Sequence, residues 1–207
     1  MDAGGCPRDD AVCQLASFAA SEVDGPPACT GHVANILVRP DDGSDRPGGR
    51  KGHGVITRSV GGDKLTLTVL LLGGGPEIRA KTRRIFHRRS IDYVLDEVGA
   101  WLTAEIGSLG CTPAVAAVGI GRSQVEASTL MLEAMAEGNL DNQNDFEKKI
   151  TAAINASKVG PLGLGGDVTA LGTFLKIGPT RASGVRIVSA RPCCCVEPRR
   201  ATIALDG

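Results

Sequence analysis

The chain has 207 residues, of which 42% are hydrophobic and 22% are charged, and this composition fits one ordinary globular domain. Its 23 Lys and Arg residues equal its 23 Asp and Glu residues, which excludes a strong overall field for nucleic acid or an anionic membrane. No apolar run of about 18 residues is present and the start of the chain lacks a signal-like pattern, so we expect a cytoplasmic protein without a transmembrane helix.

Short elements separated by turn residues are predicted for the first third of the chain. Residues 10–23 predict a short helix, because apolar side chains recur three and four positions apart. Residues 32–39 predict a strand, and the Pro- and Gly-rich residues 40–53 predict an exposed loop. Residues 55–60 and 64–72 flank a Gly-Gly-Asp turn, so we expect them to form a β-hairpin.

Helices and strands alternate through the rest of the chain. Ser90 is expected to begin a helix with one long apolar stripe, which Gly110 ends. A strand over 114–118 and a Gly119-Ile120-Gly121 turn lead to a second helix, which an S-x-x-E capping box at Ser123 begins. From this second helix, the side chains expected to face the core are Val125, Leu130, Met131, Ala134 and Met135. The other predicted elements are a helix over 144–159, a glycine-rich loop over 160–166 and strands over 168–177 and 185–190.

These elements predict a mixed α/β (α+β) fold with a hairpin-rich sheet and flanking helices. We expect a single domain over residues 1–207, with residues 1–30 and 40–53 divergent or flexible.

Two motifs leave more than one interpretation open. Gly119-Ile120-Gly121 could bind an anion at the start of a helix or could serve only close packing, and the dinucleotide fingerprint is incomplete because residue 124 is Gln. Six Lys and Arg residues between residues 79 and 89 favour a solvated helix face or a surface for an acidic partner. RNA binding has less support there, because no aromatic residues are interleaved for base stacking.

The cysteines are the most informative residues of the composition. There are seven, the number is odd, and no C-x-x-C pair occurs, so neither a disulfide framework nor a zinc ribbon is supported. They are either small buried hydrophobes or ligands that the fold brings together from distant segments. The second interpretation is favoured for Cys193-Cys194-Cys195, because adjacent thiols carry an oxidation risk and pack no better than Ala or Val.

Several segments together resemble a known family. They are GGDKLTLTVLLLGGG, Cys111-Thr112-Pro113 followed by AVAAVGIG, then GPLGLGGDVTALG, then PTRASG, and a cysteine followed by Arg199-Arg200-Ala201. In order and spacing they resemble the alpha region of class I iron–sulfur fumarate hydratases and L(+)-tartrate dehydratases, over roughly residues 60–205.

The resemblance implies a hydro-lyase with a [4Fe–4S] cluster. Three cysteines hold three irons, and the fourth iron acts as a Lewis acid on the hydroxyl and carboxylate of a hydroxy-dicarboxylate-like substrate. In this family the base comes from a beta region, so no catalytic base is assigned in this chain. We therefore expect a beta-type subunit as partner in a hetero-oligomer, a small hydroxy acid as ligand, and neither nucleic acid nor membrane.

The resemblance also implies site residues. The implied metal ligands are Cys29, Cys111, Cys193 and Cys195. The last two are alternatives for one position, since counting from Pro179 gives Cys193 and counting back from Arg199 gives Cys195. Cys194 is disfavoured because in an extended segment it points to the other side. The implied substrate contacts are Gly74, Gly75, Arg181 and Arg199.

The chain departs from the family pattern around the substrate. Cys29-Thr30-Gly31 lacks the Gln and Asp of the family's Cys-Gln-Asp-Thr-Gly, Arg50-Lys51-Gly52 is a remnant of another carboxylate clamp, and Arg181 replaces a His. Asp167 replaces a Lys and would repel an anionic substrate unless it is paired or points away. These changes favour a substrate other than fumarate, malate or tartrate, and we expect a related hydroxy acid. The alternatives are a cluster-binding paralogue without activity, acting as scaffold or redox sensor, and a binding domain without a cluster.

Overall fold

A computed structural model describes residues 31–38, 54–60, 65–71, 79–109, 111–180, 182–192 and 198–205. In chain order these residues form β1 (Gly31–Val38), β2 (Gly54–Val60), β3 (Leu65–Leu71), β4 (Lys81–Phe86), α1 (Ile91–Gly107), β5 (Ala114–Gly121), α2 (Gln124–Glu137), α3 (Asp145–Asn155), a 3-10 turn (Pro161–Gly163), β6 (Ala170–Ile177), β7 (Val185–Pro192) and β8 (Arg199–Leu205). The mixed α/β class is confirmed. No helix of the described residues is both long and apolar enough to cross a bilayer.

The chain divides into two compact units. The first contains β1, β2, most of β3, and β8 from Arg200, and the second contains β4 to β7 with all three helices. The assignment of residues 1–207 to one domain stays a prediction. The predicted helix over 10–23 and the loop over 40–53 lie outside the described residues.

The first unit holds a four-stranded sheet in the order β2-β1-β3-β8. β1 pairs antiparallel with β2, and Gly31 lies opposite Val60. The hydroxyls of Thr68 and Thr202 are 3.0 Å apart and join β3 to β8. The predicted β2–β3 hairpin is wrong, because β1 lies between these two strands. Alternating hydrophobicity identifies a strand, whereas its partner is chosen by pairing with segments distant in sequence.

The second unit is built on a sheet in the order β4-β7-β5-β6. β5 and β6 are parallel, and β7 is antiparallel to both β4 and β5. All eight residues of β5 are buried, as expected for a central strand that is covered on both faces. Helices α1 and α3 pack on one face, where the core side chains are Ile85, Val94, Leu95, Val98, Trp101, Leu102, Ile106, Leu109, Ala114, Ala116, Val118, Ile120, Ile150, Ile154, Ala170, Leu175, Val188 and Ala190.

Helix α2 packs closely on the other face of this sheet. A Cβ atom added to Gly119 would lie 2.0 Å from the carbonyl oxygen of Ala127 and 2.3 Å from the amide nitrogen of Met131. The predicted turn at Gly119-Ile120-Gly121 is therefore wrong, since these residues end β5 and their missing side chains let the helix approach. The prediction that Val125 faces the core is also wrong, because 77% of this residue is exposed at the start of α2.

The basic segment is an edge strand and not a helix face. β4 lies at the end of its sheet, and its first four residues are exposed. Lys81 donates to both carboxylate oxygens of Glu105 at 2.8 Å, and the Arg83 guanidinium lies 5.0 Å from the ring centre of Trp101. Charged side chains are typical of exposed edges because they discourage pairing with another chain. Its basic residues concealed the strand in the sequence, because Ile85 is the one buried residue of β4.

Candidate functional site

Cys111 is the predicted metal ligand whose surroundings are described. It lies three residues before β5, is partly buried, and packs against the core formed by α1, α3 and the sheet. The next residue, Thr112, is buried and joined by a cis peptide bond to Pro113. The thiol therefore sits at the edge of the sheet where β5 begins.

The glycine-rich loop is attached directly to this segment. The Thr112 hydroxyl donates to the carbonyl of Gly160 and accepts from the amide of Gly163 at 3.3 Å. The amide of Leu162 donates to the Thr112 carbonyl at 3.0 Å. Thr112 was not among the predicted site residues, although it lies between the predicted ligand Cys111 and a proline. This threonine fixes the loop beside Cys111.

Glycine is required in the loop for two different reasons. At Gly160, with a φ of 71°, an added Cβ would lie 2.1 Å from the backbone of Gly165. Gly163 and Gly165 have φ values of 73° and 90°, and nothing lies within 4 Å of an added Cβ at either residue. Their backbone therefore borders open space, and Leu162 and Leu164 beside them are 64% and 84% exposed. The prediction that a ligand approaches this backbone stays a prediction.

Asp167 is paired. Its carboxylate accepts a hydrogen bond from Lys158 Nζ across the base of the loop, and this contact holds the pKa of Asp167 below its ordinary value of 3.8. The carboxylate is therefore ionised at neutral pH, and its charge is offset locally by the lysine. Lys158 was not predicted, and its separation of nine residues from Asp167 gave no periodic signal.

The end of β7 reaches the same sheet edge as Cys111. β7 runs antiparallel to β5, and Pro192, its last residue, lies opposite Ala116. Cys193 is the next residue along the chain. β7 therefore ends at the edge where β5 begins, and residues 193–197 lie outside the described residues.

The other predicted site residues are described only in part. Those outside the described residues are Cys29, Gly74, Gly75, Arg181, Cys193 and Cys195. Arg199 is described and lies exposed at the first position of β8. β6 ends at the edge opposite Cys111, because β5 and β6 are parallel. Within the described ranges, no three His, Cys, Asp or Glu residues are grouped to hold a metal ion.

The start of α2 is occupied by the chain's own carboxylate. The Ser123 hydroxyl accepts from the Glu126 amide at 3.2 Å, and the Glu126 carboxylate accepts from the Arg122 guanidinium at 2.8 Å. The Arg122 amide donates to the same carboxylate, and these bonds hold the pKa of Glu126 below 4.5. Of the two interpretations of the preceding glycines, the contacts support close packing.

The middle and C-terminal parts of this chain match a known protein family. A family model described as "Fumarate hydratase (Fumerase)" matches residues 49–204, well over half of the chain. A protein of Methanocaldococcus jannaschii named "Putative L(+)-tartrate dehydratase subunit alpha" is 35% identical over 91 residues. The aligned stretch is 42% of this chain and 30% of that relative, so the match spans about a third of the relative's length.

Proposed function

This chain belongs to the fumarate hydratase family, and from that premise we propose that it is the alpha subunit of a [4Fe–4S]-dependent hydro-lyase. The reaction would add water to, or eliminate it from, a hydroxy-dicarboxylate-like substrate. The observation that carries this proposal is the shared sheet edge, at which Cys111 precedes β5 and β7 ends one residue before Cys193.

The described surroundings fit a cluster ligand at Cys111. The residue is only partly buried, so a group bound to its sulfur would be reachable from solvent. Thiolates are the usual ligands of such clusters, and they come from distant segments when no C-x-x-C run exists. We propose Cys29, Cys111 and one of Cys193 and Cys195 as the three ligands.

When bound, such a cluster would supply a Lewis-acidic iron with an open coordination position. The chain's own residues would hold and shape the surroundings. Thr112 fixes the glycine-rich loop against the Cys111 segment, so that backbone is rigid beside the ligand. Lys158 offsets the charge of Asp167, which reduces the repulsion of an anionic substrate that this replacement would otherwise cause.

The substrate would be a small hydroxy acid other than fumarate, malate or tartrate, since the family's Gln and Asp after the first cysteine are missing here. We propose Gly74, Gly75 and Arg199 as contacts to its carboxylates. Arg181 is the fourth contact that the resemblance implies. Arg181 itself lies outside the described residues, and its role as a contact rests on the resemblance alone.

We infer a beta-type partner subunit in the cytoplasm. The relative from Methanocaldococcus jannaschii carries "subunit alpha" in its name, and the resemblance assigns the base to a separate beta region. Activity would then require a hetero-oligomer.

Iron content after anaerobic purification tests the cluster. Cys111→Ser should lose the iron and the brown colour, because a serine hydroxyl is a poor replacement for a thiolate ligand. Cys6→Ser is the matched control and should keep both. The third ligand is identified with three further single variants, Cys193→Ser, Cys194→Ser and Cys195→Ser. The variant that loses iron names the ligand. Equal iron in the Cys111 and Cys6 variants would contradict the ligand assignment.

The altered first motif favours a second candidate, a cluster-binding paralogue without activity. Cys29 is present, but the Gln and Asp that follow this cysteine in the family motif are missing. This pattern is expected when a cofactor is kept and substrate binding is lost. The two candidates differ in turnover. Absence of turnover on a panel of hydroxy acids, with an intact cluster and a beta-type partner present, would select the paralogue.

A further inference from the structure

A cavity of about 320 Å³ lies in the second unit, where α1 and β7 begin and the chain turns after β6. β4, β5 and β6 all end at this edge of the sheet, whereas Cys111 precedes the start of β5. The cavity is therefore at the opposite edge from the proposed cluster, and a ligand bound in it would be independent of the proposed function.

A buried guanidinium forms one wall of this cavity. Arg186 is only 7% exposed, and its Nη1 donates to the carbonyls of Gly178 and Pro179 at 2.9 and 2.6 Å. Its Nη2 donates to the Thr180 hydroxyl at 3.2 Å. These three acceptors, the ones found among the described residues, are all neutral. A buried cation hydrogen-bonded only to neutral groups retains an electrostatic cost, which a counter-ion would remove.

No carboxylate among the described residues forms an ion pair with Arg186. The acidic group that acts on it from a distance is Glu126, which favours its charged form, while burial lowers the Arg186 pKa. The Glu126 carboxylate is already bonded to the side chain and amide of Arg122. The charge of Arg186 therefore has no dedicated partner in the described part of the chain.

A histidine ring lies on the same cavity. His87 Nδ1 accepts a hydrogen bond from the amide of Arg89 at 2.9 Å, so the proton of the neutral ring is on Nε2. This Nε2 atom is buried and has no hydrogen-bond partner among the described residues. Buried donors in native proteins are almost always paired, and an unpaired one at a cavity wall is a reason to look for an absent acceptor.

We propose that this cavity binds a small aliphatic carboxylate, whose charged group contacts Arg186 and His87 and whose hydrocarbon part lies against Ile91 and Val94. None of the described residues that line the cavity is acidic, and Arg89 adds a further cation to it. A phosphate carries oxygens on all sides, and the side chains of Ile91 and Val94 offer them no hydrogen-bond donor. A carboxylate needs donors on one side only and leaves an apolar end to be buried.

The test is a titration of the full-length protein with sodium butyrate at constant ionic strength, followed through the histidine ring signals in NMR spectra. The chain has three histidines, so the His87 signal can be assigned from its loss in a variant. Butyrate lacks the hydroxyl of a hydro-lyase substrate. We expect a saturable shift of the His87 signal, and inorganic phosphate should bind about tenfold more weakly or not at all.

Variants locate the site, with the melting temperature in butyrate as the readout. His87→Phe removes the donor and should weaken binding about tenfold or more, whereas His87→Gln keeps an N–H and should retain most of it. Arg186→Met should abolish binding if the variant folds. Arg88→Met is the matched control, since it removes the same charge from an exposed side chain that stacks on Tyr93.

Three results would overturn the proposal. They are the absence of any saturable response to butyrate in the unaltered protein, undiminished butyrate binding by the folded His87→Phe variant, and phosphate binding as tight as butyrate binding. Loss of the cluster in the Cys111→Ser variant bears only on the proposed function, so the two proposals can fail separately.

Discussion

At the scale of single residues, the close approach between α2 and β5 depends on Gly119. An added Cβ would lie 2.0 Å from a backbone oxygen of Ala127, and backbone on the far side cannot move aside as a flexible side chain could. The same substitution has a different effect at Gly107, where an added Cβ would meet only Val159 Cγ2 at 3.8 Å. The two glycines therefore form a matched pair.

We expect Gly119→Ala to lower the free energy of unfolding by about 3 kcal/mol, the upper range for overpacking a core, or to prevent folding. Gly107→Ala should leave stability unchanged or raise it by up to about 1 kcal/mol, because alanine favours a helix. Urea denaturation of both variants measures this. Equal stability of the two variants would mean that α2 does not approach β5 as closely as described.

Glu126 provides a prediction about pH. Hydrogen bonds from Arg122 lower its pKa from 4.5 in the folded state. A lowered carboxyl pKa stabilises the fold fully above the unfolded value, and that contribution disappears as the pH falls through the folded value. Glu126→Gln should thus be less stable than the unaltered protein at about pH 7, and the difference should shrink at about pH 3.

Urea midpoints at both pH values measure this difference. Asp141→Asn is the control, because Asp141 is exposed and forms no ion pair within the described residues. If the stability difference between Glu126→Gln and the unaltered protein were larger at the lower pH, the Glu126 carboxylate would not stabilise the fold through its charge.

At the scale of elements, α3 is joined to β6 at both of its ends. Asn144 caps the helix by accepting from the amides of Phe146 and Glu147, and Glu147 accepts from the amide of Asn144. The other oxygen of the buried Glu147 carboxylate accepts from the Leu175 amide in β6 at 2.9 Å. At the far end, Asn155 accepts from the amides of Thr169 and Ala170.

Asn144→Ala should therefore cost about 1 kcal/mol of stability, which is typical of a lost helix cap. Glu147→Ala should lower the stability more than Asn144→Ala does, because it also leaves the buried Leu175 amide without an acceptor. An unsatisfied buried group of this kind costs about 1–3 kcal/mol. Lys148→Ala, an exposed neighbour on the same helix, should have little effect. Thermal unfolding ranks the three variants, and a Glu147 variant as stable as the Lys148 variant would contradict the role of this carboxylate.

The part of the fold that sequence could predict is the part with local signals. The start of α1 at Ser90 and the apolar stripe after it are local, and both are confirmed, although the helix ends at Gly107 and not at Gly110. The order of strands in the first sheet is not local, and neither is the Lys158–Asp167 contact. β4 and β8 were missed because charged residues dominate the start of each. The sequence motifs identified Cys111 as a candidate ligand. They gave no sign that Thr112 is hydrogen-bonded to the glycine-rich loop, because that contact joins segments distant in sequence.

At the scale of the whole molecule, the described chain supplies the Cys111 thiol and the loop backbone that Thr112 holds beside it, but no residue that we assign as the base. The catalytic centre proposed for it would then be completed by another subunit. The match to the curated relative covers 30% of that protein's length, which leaves room in the relative for parts that this chain does not match.

We therefore expect the chain purified alone to hold iron and to show no turnover on hydroxy acids, and to gain turnover when it is co-expressed with a beta-type subunit. The gain should require Cys111, because its thiolate is proposed to hold the cluster, and should survive in Cys6→Ser. Dehydration is followed by the ultraviolet absorption of the unsaturated product, at equal iron content in each sample. Turnover by the chain alone would show that the base lies within these 207 residues and that the partner is dispensable.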